Sequence, residues 1–283
     1  VEQHCLVELV QVTVTPTEWV ERLEALPILK EVSIRIDRGQ FITLVGRNGS
    51  GKSTLAKVVA GFRTAGVTGS MILRAESAAG VHRIPIVMQQ PEAAMVGATP
   101  WEDVVLMLEQ NEMEWSQIIP CAEQALHQVG MGERMHQPIE TLSGGQKQLV
   151  AIAGCLAAHS PLLVLDEVTA MLDPEAAMLV LERVRALHKS GVTVIWITQK
   201  LEELRPGDRI VAMNDGKIAY DGLPEGWFSR SINGHTESVC EQLGFEAPYA
   251  ARVAWELELL GVRLQPFPFT ADMLAEAVSS DER

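Results

Sequence analysis

The chain has 283 residues, with 23 Lys+Arg against 37 Asp+Glu for a formal net charge of −14. Its apolar share of 47% excludes global disorder, and its acidic balance works against a surface built to neutralise nucleic-acid backbone. The mean hydropathy of +0.11 raises the question of a membrane span, but the most apolar stretches, 161–165 and 192–197, are far short of the ~20 residues such a helix needs. The first ten residues, VEQHCLVELV, lack a basic region and carry acids early, so no secretory signal is read there. A soluble chain is expected, apolar enough to keep surface for a partner to cover. Cys5, Cys121, Cys155 and Cys240 are widely spaced, as suits isolated thiols in a reducing compartment.

In chain order, Val32–Ile36 alternates apolar and polar residues, Asp37–Gln40 turns, and Phe41–Val45 is a short apolar run. The pattern predicts a β-hairpin whose second strand is buried. A glycine-rich turn at Gly46–Gly51 then leads into a helix from about Lys52 to Ala60. Ile84–Met88 reads as a strand, and 100–157 as a helical block in which Trp101, Val104, Val105 and Leu108 share one face. Leu162–Leu165 and Val192–Ile197 are aliphatic runs expected as strands buried on both faces, with a helix over Glu175–Ser190 between them. Arg209–Met213 and Lys217–Tyr220, joined by Asn214-Asp215-Gly216, predict a late hairpin. The whole reads as an α/β fold around parallel strands, with the helical block inserted. After Ser231 the character changes: Val253, Leu257 and Leu260 form one helical stripe, and Thr270 can cap a last helix. The expected division is 1–230, with its helical subdomain at about 91–157, and a small helical tail at 231–283.

Gly46-Arg-Asn-Gly-Ser-Gly51-Lys52-Ser53 matches G-x-x-x-x-G-K-[ST]. Glycines let backbone wrap close to a polyphosphate, and its N–H groups meet the anion at a helix N-terminus. Lys52 supplies positive charge, and the Ser53 hydroxyl suits Mg²⁺, a hard cation preferring oxygen. Pro161–Leu165 followed by Asp166-Glu167 is an apolar strand ending in two carboxylates. Asp166 can hold Mg²⁺ through water, and Glu167 can polarise a water for attack on the γ-phosphate. Leu142-Ser143-Gly144-Gly145-Gln146, ahead of a helix, makes a second phosphate-binding surface.

These motifs, with Gln89 and Ala170–Asp173, stand in the order found in ABC-type ATPases, which residues 6–225 resemble. The resemblance implies a P-loop NTPase core with an antiparallel β-subdomain and a helical insertion. It implies ATP binding by Gly46, Asn48, Gly49, Ser50, Gly51, Lys52, Ser53 and Thr54. It also implies head-to-tail dimers in which Ser143, Gly144, Gly145 and Gln146 complete the partner's site, with Asp173 at the seam. Asp173 also reads as a helix N-cap before Pro174. Gln89 would touch Mg²⁺ and the attacking water, beside Ser53 and Asp166, and report nucleotide state to a membrane partner. A narrower likeness lies in Met95–Val104, Leu243–Pro248 and Pro268–Leu274, which resemble the ATPases of energy-coupling factor (ECF) transporters for vitamin and metal uptake. The ATPase of another ABC importer is the rival reading.

Two departures stand out. The family's histidine after the strand that follows Asp-Glu is Gln199 here. Glutamine can donate a hydrogen bond but carries no positive charge, so it can position a phosphate while stabilising charge less well. The early aromatic that stacks on adenine is absent; Trp19 either takes that role or belongs to core or partner surface. An intact LSGGQ beside an own site altered at Gln199 points to an asymmetric pair with a second ATPase; a homodimer in which Gln199 substitutes for the histidine is the alternative. A transmembrane coupling protein and a substrate-binding membrane subunit complete the expected assembly, with this chain peripheral on the cytoplasmic face. Met88, Met95, Val96 and Trp101 could dock the membrane partner, or belong to the core of the helical block. A nucleotide-holding assembly subunit is the second reading. A soluble ABC ATPase acting on DNA or ribosomes is disfavoured by length and charge.

Overall fold

The computed structural model describes residues 4–16, 26–62, 66–74, 84–110, 113–230 and 237–281. Trp19 lies outside the described residues. Three strands, β1 (Cys5–Val14), β2 (Leu29–Asp37) and β4 (Val67–Leu73), form an antiparallel sheet in the order β2-β1-β4. The strand between them in sequence, β3 (Phe41–Gly46), belongs elsewhere. With β5 (Ile86–Val87), β6 (Leu162–Asp166), β7 (Thr193–Ile197), β8 (Arg209–Asn214) and β9 (Lys217–Gly222), it forms a six-stranded sheet in the order β5-β6-β7-β3-β8-β9. All its pairings are parallel except β8 with β9, the expected late hairpin.

The expected hairpin of β2 with β3 therefore does not form. β2 pairs with β1, Cys5 opposite Asp37 and Val14 opposite Leu29. At the turn, Gly39 N donates to Thr193 Oγ1 at 3.0 Å, and Val194 N donates to the Gln40 carbonyl at 3.0 Å. The turn thus hands the chain to β7. The reason lies in composition: every residue of β3 is buried, so it needs neighbours and cover on both faces, whereas alternating β2 has one wet face. β4 is almost wholly exposed and follows no apolar pattern, and the strand expected at Ile84–Met88 is only Ile86–Val87.

Period-two alternation divides the central strands between two cores. Ile42, Leu44, Leu162, Val164, Ile195 and Ile197 face the small sheet and α1 (Lys52–Val59). Phe41, Leu163, Leu165, Val194 and Trp196 face the helical layer. That layer comprises α2 (Pro100–Gln110), α3 (Trp115–Gln128), α4 (Gly144–Ala157) and α5 (Pro174–Lys189). Val104, Val105 and Leu108 are buried as predicted, with Trp101 partly buried beside them.

The C-terminal part contains α6 (Pro224–Phe228), α7 (Val239–Gln242), α8 (Tyr249–Leu259) and α9 (Ala271–Asp281). Trp227, Phe228, Trp255 and Phe269 share a core with Val45, Ile210 and Ala212 of the large sheet. The expected stripe on α8 is not the buried one: Ala250, Ala251, Ala254 and Trp255 face inward, and Leu260 is 80% exposed beyond the helix end. Small residues let the helix approach closely, and the Trp255 indole fills the gap, its Nε1 donating to the Phe228 carbonyl at 3.0 Å. Thr270 caps α9 as expected, accepting from Met273 N at 3.3 Å.

Candidate functional site

The turn between β3 and α1 encloses a cavity of about 370 Å³. Asn48, Gly49, Ser50, Gly51, Lys52, Ser53 and Thr54 line one side, and Asp166, Glu167, Met88 and Gln89 the other. Gly49 and Gly51 have φ of +80° and +101°, a left-handed backbone that penalises any side chain. Gly46 is required by space: a Cβ there would strike the Ser50 hydroxyl and stand 2.8 Å from the Met213 carbonyl.

Lys52 is 5% exposed. Its ammonium donates to the Gly46 carbonyl at 2.7 Å and the Arg47 carbonyl at 3.2 Å, and lies 3.8 Å from Glu167 Oε1. Burial pulls the Lys52 pKa down, against the opposing pull of Glu167 and Asp166. Burial also raises the Asp166 pKa, a hydrogen bond from Ser53 being the largest opposing cause. Asp166 and Ile197 are paired residues at the ends of β6 and β7, so the segments leaving those strands run side by side. Glu167 turns in a left-handed conformation, φ 51°. Gln199 reaches across, its Nε2 donating to Glu167 Oε1 at 2.8 Å and to Asn48 Oδ1 at 2.9 Å. Phosphate loop, strand-end carboxylate and Gln199 therefore form one connected group.

The donor set suits Mg²⁺. Asp166 is a buried carboxylate whose charge is poorly solvated. The Ser53 hydroxyl bonds it, and Gln89 borders the same cavity. All three offer hard oxygen donors.

Ser143, Gly144, Gly145 and Gln146 do not border this cavity. Ser143 caps α4 in a reciprocal box: Gln146 N donates to Ser143 Oγ at 3.3 Å and Ser143 N to Gln146 Oε1 at 3.0 Å. Asp173 caps α5, accepting from Ala176 N at 2.9 Å, with Pro174 in the first helical position.

A second cavity, an apolar groove of about 620 Å³, shares Met88 and Gln89 with the first. Met95, Val96 and Met107 line it, and Val96 is 75% exposed. Trp101, grouped with these residues as a possible docking contact, is not in the groove's lining; its ring lies 6.0 Å from His136 against the helical core. The loop before α2 is held by Asp103, which accepts from Val96 N at 2.8 Å and Gly97 N at 3.0 Å.

Two contributors carry no motif of their own. Ile28 borders the phosphate cavity at the entry to β2. Gln148, 1% exposed on α4, donates to the Gln89 carbonyl at 2.9 Å. Gln148 repeats the helical spacing of a core position, so only its polarity among buried neighbours could have singled it out.

A strand–glycine turn–helix enclosing a buried lysine, opposite a parallel strand ending in Asp-Glu, defines a P-loop nucleoside triphosphatase. The ABC transporter family profile matches residues 29–170. The energy-coupling factor transporter ATP-binding protein EcfA1 of Geobacillus kaustophilus is 35% identical over 254 residues, 88% of this chain and 89% of its own. EcfA of Methanosarcina acetivorans is 39% identical over 246 residues, 84% and 87% of the two chains. Among solved structures, cbiO1 of Clostridium perfringens, part of the ABC transporter complex cbiONQ, superposes with a TM-score of 0.66 at 26% identity, covering 79% of this chain and 90% of its own. The chain belongs to the ABC transporter ATPase family, among relatives named as ECF ATP-binding proteins, and it is a transport ATPase.

Proposed function

We propose that this chain energises an ECF-type importer of a vitamin or metal ion. It does so as a peripheral subunit on the cytoplasmic face, paired with a second ATPase and docked on a transmembrane coupling protein that works with a substrate-binding membrane subunit. The observation that carries this reading is the wall common to both cavities: Met88 and Gln89 border the phosphate cavity on one side and the apolar groove on the other. A change at the nucleotide is thereby transmitted to a Met-lined surface suited to an apolar helix. Among the described residues no helix is long and apolar enough to cross a membrane. The likeness to part of a cbiONQ complex supports the same assembly.

In this reading Gly46, Asn48, Ser50 and Thr54, with Gly49 and Gly51, wrap the polyphosphate of ATP, and Lys52 exchanges its two loop carbonyls for phosphate oxygens. Ser53, Asp166 and Gln89 would hold Mg²⁺, which supplies charge neutralisation at the β- and γ-oxygens when bound. Glu167 accepts a proton from the attacking water. Ser143, Gly144, Gly145 and Gln146 face the partner's ATP across a seam containing Asp173. The dimeric cassette MJ0796 bound to ADP and Pi, 25% identical with a TM-score of 0.62 over 77% of this chain and 98% of its own, supports a two-cassette arrangement.

A second reading, a subunit that holds nucleotide and turns it over slowly, is favoured by Gln199, whose amide nitrogen is spent on Asn48 and Glu167. The two are separated by comparing single-turnover hydrolysis in the isolated chain and in the native complex, with Gln199→His and Glu167→Gln alongside. Slow own-site hydrolysis with a rapid partner site supports the asymmetric motor. Fast hydrolysis by the isolated chain with Gln199 intact overturns it. Native mass spectrometry of the complex then identifies the second ATPase and the membrane subunits.

A further inference from the structure

We propose that Glu203 is a positioning residue for ATP hydrolysis: its buried carboxylate clamps the segment carrying Glu167 to the segment carrying Gln199. The inference rests on the reading of Glu167 as the proton acceptor. Glu203 sits in the short turn Leu201–Glu203 that follows β7 and is only 8% exposed. Each of its oxygens takes one neutral donor. Thr169 Oγ1 donates to Oε1 at 2.6 Å, and the Trp196 indole donates to Oε2 at 2.8 Å. Both partners are themselves buried, at 2% and 1% exposure.

The two donors lie on different sides of the problem. Trp196 belongs to β7, three residues before Gln199. Thr169 stands two residues after Glu167, in the chain leaving β6. A second tie runs the same way, Lys200 Nζ donating to the Thr169 carbonyl at 2.9 Å. Glu167 N also donates to the Ile197 carbonyl at 3.1 Å. The cross-ties matter because Glu167 holds a left-handed backbone, φ 51°, a conformation an L-residue keeps only where its surroundings over-determine it. The chemistry of Glu203 fits the task. The indole N–H can only donate, and the Thr169 hydroxyl donates here; a carboxylate accepts from both, whereas an apolar side chain accepts from neither. Glu203 touches no substrate; it acts through Thr169 on the placement of the Glu167 carboxylate, which a small displacement would spoil.

The test uses the full chain purified with the subunits that accompany it. Thr169→Val removes the hydroxyl and keeps the shape; Glu203→Leu removes both acceptors; Thr169→Ser keeps the hydroxyl. The first two are expected to lower single-turnover hydrolysis about tenfold and to lower the melting temperature through the unpaired buried groups, leaving ATP affinity near the parent's. Thr169→Ser is expected to hydrolyse at the parent rate. In Glu203→Leu the Trp196 indole N–H is expected to exchange with solvent faster. Added to Glu167→Gln, Thr169→Val is expected to cost nothing further. Parent-like rates in folded Thr169→Val and Glu203→Leu overturn the clamp, as does a loss carried wholly by ATP affinity or one shared by Thr169→Ser. If Glu167→Gln is inactive while Thr169→Val is normal, the clamp alone falls. If Glu167→Gln hydrolyses normally, the reading of Glu167 falls and takes the clamp with it.

Discussion

Gln199 and Glu167 are joined by a 2.8 Å hydrogen bond from the amide nitrogen to the carboxylate, and the same nitrogen is held at 2.9 Å by Asn48 of the phosphate loop. Both N–H bonds of the amide are thereby engaged. An imidazole nitrogen carries at most one N–H, so a histidine cannot reproduce this bridge, but it can become positively charged. Gln199→His is therefore expected to release Asn48 and to raise own-site single-turnover hydrolysis about tenfold through added charge stabilisation. Its rate should also gain a pH dependence, relative to the parent's profile, in the range where imidazole titrates. Rates measured across pH 5.5–8.5, bracketing that range, check both points; a flat profile or an unchanged rate contradicts them.

Gly51 stands at φ +101°, and a Cβ there would lie 2.9 Å from Leu29 Cδ2 and 3.2 Å from the Ile28 carbonyl. Gly51→Ala should cost about 1–2 kcal/mol from the left-handed backbone alone and distort the loop where phosphate must lie. Expected outcomes are a lowered melting temperature and at least about tenfold weaker ATP binding, read by calorimetry. Gly49 has the same handedness but open space around its Cβ position, so Gly49→Ala should be the milder of the two.

The contrast between these glycines illustrates what was legible in the sequence. The phosphate loop, Asp166-Glu167 and the buried strands β3, β6 and β7 were readable because local spacing and continuous apolar runs report local geometry. The pairing of β2 was not, because a turn at Asp37–Gln40 is compatible with a hairpin and with a crossing between sheets; the choice is made by Thr193 and Val194, far away in sequence. The inward face of α8 escapes the leucine pattern because alanines beside Trp255 bury as effectively as leucines when an aromatic core is their neighbour. Glu203 was invisible for a related reason: a glutamate in a polar turn carries no pattern, and its burial is created by Trp196 and Thr169 from other elements.

Asp166 gives a pH prediction with a definite sign. Burial is the main cause of its raised pKa, so the folded chain binds that proton more tightly than the unfolded chain does. The fold is therefore penalised above the raised pKa and relieved as pH falls through it. Asp166→Asn should raise the melting temperature of the nucleotide-free chain at neutral pH, with the gain shrinking under acid conditions. The same variant should weaken the Mg²⁺-dependent part of ATP binding, so chelation should alter parent affinity more than variant affinity. Thermal scans and titrations with and without Mg²⁺ test the pair of effects together.

The groove can be tested separately from the phosphate cavity. Val96 is 75% exposed at its rim, and its side chain has no part in the nucleotide cavity. Val96→Glu places a charge where an apolar partner helix would seat. It should reduce co-purification with the membrane subunits about tenfold or more while leaving ATP binding by the isolated chain unchanged. Recovery of the assembled complex from detergent extracts is the measurement, and undiminished assembly contradicts the docking assignment.

Arg230 and Glu241 tie the segment after α6 to α7 in the C-terminal core. The guanidinium donates to both Glu241 oxygens and lies over the Trp255 ring, 3.8 Å from its centroid. The carboxyl is held at a pKa of about 2 against an ordinary 4.5, chiefly by Arg230, with Ser238 N and Oγ also donating. A depressed carboxyl stabilises the fold above its unfolded pKa and loses that contribution as pH falls from about 4.5 to about 2. Because both groups are partly open to solvent, the contribution at neutral pH is roughly 2 kcal/mol or less. Glu241→Gln should show that deficit at pH 7, and the gap to the parent should narrow progressively through the acid window. Arg230→Lys should fall between them, since an ammonium keeps the charge but loses the two-pronged fit and the stacking on Trp255. Denaturant melts of the three proteins at several pH values decide the matter: a gap independent of pH would assign the contact to packing on Trp255 and not to the ion pair.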